Sequence, residues 1–149
     1  MNLKFKLPLS FLTTLITMST FAQQPPGLAN GVISAPVSKL PWQELANTGG
    51  IKYANVKGDL TGKGAYQAFV IFPAGKSNPF HYHTHAIPTV VIQGTFYAEI
   101  NGVRTEYPPG SFYSLPGKFE HFSGCVTGMD CLLFQYQDGP FDFVPRKAP

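Results

Sequence analysis

His81-Tyr82-His83-Thr84-His85 places three histidines at alternate positions, and the only other histidine of the chain, His121, follows much later. In an extended strand, side chains at i, i+2 and i+4 share one face, about 7 Å apart at each step. Imidazole is the commonest protein ligand for transition metals, and two on one strand make half of a tetrahedral or octahedral site. Histidines used only for structure would be scattered along the chain, whereas these four fall in two short segments. The alternative is a strand edge with solvated or hydrogen-bonded histidines; a metal site accounts better for the clustering.

The surroundings of that stretch describe an all-β chain. The 149 residues are 44% hydrophobic, enough for one domain with its own core. With 15 glycines, 14 prolines and 14% aromatic residues, the composition fits short strands joined by tight turns better than long helices. Strands are expected over residues 51–57, 65–72, 89–93, 95–100, 103–107, 112–115, 119–126 and 131–137, with a single helical turn over 39–45 and Trp42 closing one end of the core. Asn101-Gly102 is the favoured pair for a two-residue hairpin turn. It sets Ile100 against Val103 and Glu99 against Arg104, making Glu99 half of a surface ion pair. Glu106 and Glu120 read as solvated side chains. Such evenly spaced strands point to an antiparallel sandwich or barrel.

Residues 1–22 read as a signal peptide. Lys4 and Lys6 form a basic start, residues 7–18 are apolar with threonines, and Ser19-Thr20-Phe21-Ala22 offers small residues for cleavage. Pro8 and four threonines make a poor membrane span, so the expectation is a periplasmic or secreted protein with no membrane contact after cleavage. Residues 23–38 would form a flexible leader and 39–145 the folded domain. Removing Lys4 and Lys6 lowers the basic count from 11 to 9 against 8 acidic residues, leaving about +1. No basic surface argues for nucleic acid. In an oxidising compartment Cys125 and Cys131, six positions apart, are expected to form a disulfide; a thiolate metal site competes but lacks further cysteines.

Two motifs organise the histidines. Gly75, five residues, His81-Tyr82-His83 and then Gly94 eleven positions later form the first; Gly110, five residues, Pro116 and then His121 form the second. About fifteen residues separate them. In both respects the chain resembles a single-domain cupin, and among cupins it looks most like the metal-binding cupin domain of zinc anti-sigma factors. The closing stretch from Cys131 to Phe143 adds to that resemblance. It implies a cupin double-stranded β-helix, a small antiparallel jelly-roll barrel, with His81, His83 and His121 as ligands of one divalent transition metal. Iron or zinc is expected first, with manganese, copper or nickel as further options.

The chain departs from the cupin pattern at three positions. Where the first motif has its glutamate stands Ile87, the second motif's glycine is Lys118, and its terminal asparagine is Cys125. Without the glutamate, either three neutral imidazoles leave open coordination positions or His85 makes a fourth ligand and closes the site. Pro88 marks a break in the strand ladder and favours three ligands, with His85 lining the mouth. An open three-histidine site resembles those of cupin thiol and diketone dioxygenases; zinc in the same ligands would support isomerase- or lyase-type chemistry.

The expected protein is therefore an exported metal-binding cupin, either an enzyme on a small molecule or a binding or sensing module with a structural zinc. Candidate catalytic residues are His85, Tyr97 and Tyr113. Further cavity-lining candidates are Gln67 or Phe69, Phe119, and one alternate set among Phe134, Gln135, Tyr136 and Gln137. Phe80, Phe112 and Phe122 read as packing residues. No motif for an organic cofactor, catalytic serine triad, phosphate-cradling loop or carboxylate pair is present. A homodimer is expected by analogy with other cupins.

Overall fold

The computed structural model describes residues 31–149; the proposed signal peptide and residues 23–30 of the leader lie outside them. Eleven strands follow in chain order: β1 Gln43–Glu44, β2 Lys52–Lys57, β3 Tyr66–Phe72, β4 Ser77–Tyr82, β5 Thr89–Gln93, β6 Phe96–Ile100, β7 Val103–Tyr107, β8 Phe112–Tyr113, β9 His121–Cys125, β10 Cys131–Gln137 and β11 Val144–Pro145. They form two antiparallel sheets, one of six strands in the order β1-β2-β3-β10-β5-β8 and one of five in the order β11-β4-β9-β6-β7. The chain alternates between the sheets from β3 to β6 and again from β8 to β10, which is the jelly-roll arrangement of a cupin.

Three strands coincide with their expected limits: Thr89–Gln93, Val103–Tyr107 and Cys131–Gln137. The hairpin register is also as read, with Ile100 opposite Val103 and Glu99 opposite Arg104. Asn101 and Gly102 have φ of 50° and 76°, the two left-handed residues that a tight turn between right-twisted strands requires. Arg104, however, pairs with Glu106 at 3.2 Å and lies over the Tyr97 ring at 3.7 Å, so the expected Glu99 ion pair gives way to a same-strand pair. Glu120 is paired as well, with Arg146 at 2.7 Å.

The expected helical turn over 39–45 is corrected. A short 3-10 turn occupies Val37–Lys39, and Leu40 is already extended at ψ 136°. Pro41 disfavours the helical conformation for the residue before it, so the turn ends there and Gln43–Glu44 pairs along the sheet edge instead. Trp42 does not close the core; it shares a shallow surface crevice with Val37, Ile71 and Leu132. Besides β1, strands β4 and β11 are absent from the expected set. Pro79 interrupts the first, and the second is only two residues long.

Inward positions of β3 and β10 supply half of the core, namely Tyr66, Ala68, Val70, Phe72, Cys131 and Leu133, with Val91 of β5 and Phe96 of β6 packed against them. The expected disulfide joins Cys125 and Cys131. Because β9 and β10 belong to different sheets, it staples the two layers together. The outer face of the six-stranded sheet stays apolar, with Val90, Ile92, Phe112 and Tyr136 exposed, Phe112 at 59%. Phe112 is therefore not the packing residue expected, and this face is the surface available to the expected pairing of two copies.

Candidate metal centre

β4 and β9 are hydrogen-bonded neighbours, and their register sets His81 directly opposite His121. Both are buried, at 0% and 4% exposure. His83 lies just beyond the end of β4, where its main-chain carbonyl accepts a hydrogen bond from the Lys118 N–H at 2.7 Å. Lys118 has φ +64°, a left-handed conformation usually left to glycine. The motif's backbone bend is thus kept although its glycine is absent. The glycine one position earlier, Gly117, meets a separate need: a Cβ there would come within 2.3 Å of the Thr84 carbonyl oxygen.

Each histidine ring is held through Nδ1. His81 Nδ1 faces the Pro79 carbonyl at 2.7 Å, and His121 Nδ1 faces the Phe119 carbonyl at 2.9 Å, in both cases two residues upstream. His83 Nδ1 faces the Asp142 carbonyl at 2.5 Å. A carbonyl oxygen can only accept, so the proton of each neutral ring sits on Nδ1 and the lone pair on Nε2. Those lone pairs are turned on one another: His81 Nε2 lies 3.2 Å from His83 Nε2, and the three ligating atoms fall within 4.8 Å. Acceptors crowded this way repel unless a cation stands between them. Two nitrogens bound at 2.0–2.1 Å to one ion sit about 3 Å apart at right angles, so the His81–His83 spacing fits a metal.

Burial disfavours the charged form of all three rings. His81 is pushed down to about 3, first by burial and then by the neighbouring His121 and His83, against the opposing effect of its bond to Pro79. His83 and His121 are lowered by burial too, partly offset by their own carbonyl contacts. The triad is accordingly neutral near pH 7, the form that ligates.

A segment that sequence reading missed completes the site. Phe141-Asp142-Phe143 runs beside the triad and leads into β11, which pairs with β4. Phe143 stacks on His81 with ring centres 4.3 Å apart, and Phe141 lies 5.4 Å from His83. The Asp142 carboxylate accepts from the Thr84 N–H at 2.8 Å and from the Thr84 hydroxyl, while its carbonyl holds His83. Its signal in the sequence is an aspartate between two aromatic residues, and no spacing links that to the histidines.

The other candidates separate clearly. His85 is exposed on the bend after β4, and its ring lies against Gly139, where an added Cβ would come within 2.8 Å of it. It takes no part in the three-histidine cluster, so the fourth-ligand alternative is corrected: the chain leaves the strand after Tyr82 and alternation no longer applies. Tyr97 is corrected as well. Phe96 faces inward, so Tyr97 faces outward, where its hydroxyl donates to Ser77 Oγ at 2.8 Å. Gln67 and Phe69 also point outward, the latter edge-on to Phe134 at 5.2 Å, and Tyr136 is exposed.

Tyr113, Phe119, Gln135 and His85 do line a cavity of about 410 Å³ that His83 and His121 face. Burial raises the Tyr113 hydroxyl above its usual range, so it stays a proton donor. Ile87, in the place of the motif's glutamate, is buried in the cavity wall.

Comparison with known proteins agrees on the fold. A chain in the crystal structure of Rhodobacter sphaeroides SigE in complex with the anti-sigma ChrR matches with a TM-score of 0.56 and 23% identity, over 69% of this chain and 52% of that one. This chain thus spans about half the length of that relative. An RmlC-like cupin protein from Ralstonia eutropha matches with a TM-score of 0.61 and 20% identity, over 78% and 74%. The polyketide cyclase RemF from Streptomyces resistomycificus matches with a TM-score of 0.62 and 13% identity, over 75% and 83%. No protein-family model and no curated protein matches the sequence. The domain has the cupin fold and resembles the cupins of anti-sigma factors.

Proposed function

We propose that this chain is an exported, metal-dependent cupin enzyme acting on a small molecule, with oxygen-dependent, dioxygenase-type oxidation as its most concrete form. The carrying observation is that the ligating nitrogens of His81, His83 and His121 lie within 4.8 Å of one another beside a cavity of about 410 Å³. A structural site would be closed by a fourth protein ligand, and His85 lies outside this three-histidine cluster. A divalent ion held by three neutral imidazoles keeps its full charge and, when bound, supplies Lewis-acid polarisation of a chelating substrate and, for iron, oxygen activation.

The chain's own residues do the rest. Pro79, Phe119 and Asp142 hold the imidazoles in the ligating tautomer through their carbonyls. Tyr113, protonated and hydrogen-bonded to Thr89, lines the cavity as a proton donor, and exposed His85 at its rim can pass protons to solvent. Ile87, Leu115, Phe119 and Phe141 limit water access. Tyr97, on the outer face, has no part in the chemistry.

A second reading is favoured by the similarity to a chain of the SigE–ChrR complex: a metal- or ligand-sensing module with zinc. Metal content by inductively coupled plasma mass spectrometry separates the two, on protein exported to the periplasm and purified without an affinity tag. Near-stoichiometric iron, copper, manganese or nickel with oxygen uptake on small chelating substrates supports the enzyme. Stoichiometric zinc without turnover supports the sensor. No metal after reconstitution overturns both.

A further inference from the structure

We propose that the cavity selects small organic anions with an apolar body, and that Lys76 is the residue that recognises their charge. The proposal names the substrate class of the site read above; it rests on that reading for the cavity's use, while the role of Lys76 is independent of the metal.

Lys76 immediately precedes β4, with its main chain fixed at both ends: its N–H donates to the Pro73 carbonyl at 2.9 Å, and its carbonyl accepts from Cys125 N–H at 2.8 Å. Side chains alternate from there. Ser77 faces outward to Tyr97, whereas Asn78 faces inward and donates to Ser123 Oγ at 3.2 Å. Lys76 therefore shares the inward side with Asn78, and it lines the cavity half-buried. Its ammonium rests against residue 49, where a Cβ would come within 2.9 Å of Nζ. Gly49, at φ +66°, leaves that room.

Among the described residues, no aspartate or glutamate lines this cavity. Among the described residues the ion pairs are Arg104–Glu106 and Arg146–Glu120, and Lys76 belongs to neither. The position where an acidic ligand would balance a metal is Ile87, and the triad itself is neutral. A cation without a counter-charge attracts an anion from solution, and apolar walls beside it strengthen that attraction.

Along β4 and β9 the inward polar groups form a stripe from Lys76 through Asn78 and Ser123 to His81 and His121. Facing it are Ile51, Leu60, Val70 and Phe72, an apolar wall for the body of the ligand. Lys76, His83 and His121 thus line one cavity, with the apolar wall across from them.

The test is isothermal titration calorimetry of the full chain, metal-depleted and zinc-loaded, with 4-phenylbutyrate and its neutral amide as probes. Metal-depleted protein should prefer the carboxylate by about tenfold, the ratio that one charge-assisted contact supports. Lys76→Met should abolish that preference while leaving amide binding unchanged, and Lys76→Arg should retain it. Equal affinity for the two probes, an unchanged preference in Lys76→Met, or no binding of either probe overturns the proposal. The two readings fail separately. Anion preference in a protein that never holds metal would sink the enzyme and keep this inference; zinc binding without anion preference would sink this inference and leave the metal site standing.

Discussion

The two sheets use their inward faces differently. The six-stranded sheet turns Ala68, Val70, Phe72, Val91 and Leu133 into the barrel, an apolar surface with few polar interruptions. The five-stranded sheet turns in Asn78, His81, His121 and Ser123, side chains that gain little from burial and are held by hydrogen bonds. Outside, the pattern reverses: the first sheet exposes apolar residues, and the second carries both ion pairs. The first layer thus supplies much of the apolar packing and the second the histidine triad, although Tyr113 and Gln135 of the first line the same cavity and Phe96 of the second joins the core. Substitutions on the two should therefore separate folding from binding.

The largest effect should come from the chemical layer. His121→Ala should reduce metal affinity well beyond the roughly 100-fold seen when an outer partner of a ligand is lost, read by competition with a chelator. The same variant tests the cost of the buried rings. In metal-free wild type, stability should fall as pH drops from 6.5 towards about 3, because the unfolded chain takes up protons that His81 and its neighbours refuse when folded. Denaturation at several pH values should show a shallower loss for His121→Ala, with one depressed imidazole removed.

Leu133→Ala, at a fully buried position of the other layer, should lower stability by about 2–5 kcal/mol in denaturant unfolding and leave zinc affinity unchanged. If it weakened the metal as much as His121→Ala, the division between the layers would fail. Asp142→Ala sharpens the same boundary, since it keeps the carbonyl facing His83 but frees Thr84. Metal affinity should drop by about tenfold with little change in unfolding. The smallest effect should be Lys118→Gly, which relieves a left-handed lysine at φ +64° and should gain up to about 1 kcal/mol in thermal unfolding.

The parts legible in the sequence were those set by short-range rules. The Asn101-Gly102 turn, the strand around Leu133 and the paired histidine motifs each follow from spacing along the chain. Contacts between distant segments left no such trace. Phe141, Asp142 and Phe143 reach the triad from about sixty residues beyond His83, and nothing in their order announces it. Tyr97 and Tyr113 looked alike as candidates, and they separate only once Phe96 is known to face inward. His85 failed for a related reason. Alternation holds within a strand, and β4 stops at Tyr82, three residues too early.

The placement of the Phe141–Phe143 clamp also fixes an order of events. Synthesis delivers His81, His83 and His121 before residues 141–145, so His83 lacks its anchoring carbonyl until the barrel strands have been made and that segment docks. A metal that needs the anchored triad would then load after that segment docks. For the proposed exported chain that step would fall after translocation, and the metal pool of the destination compartment would choose the ion.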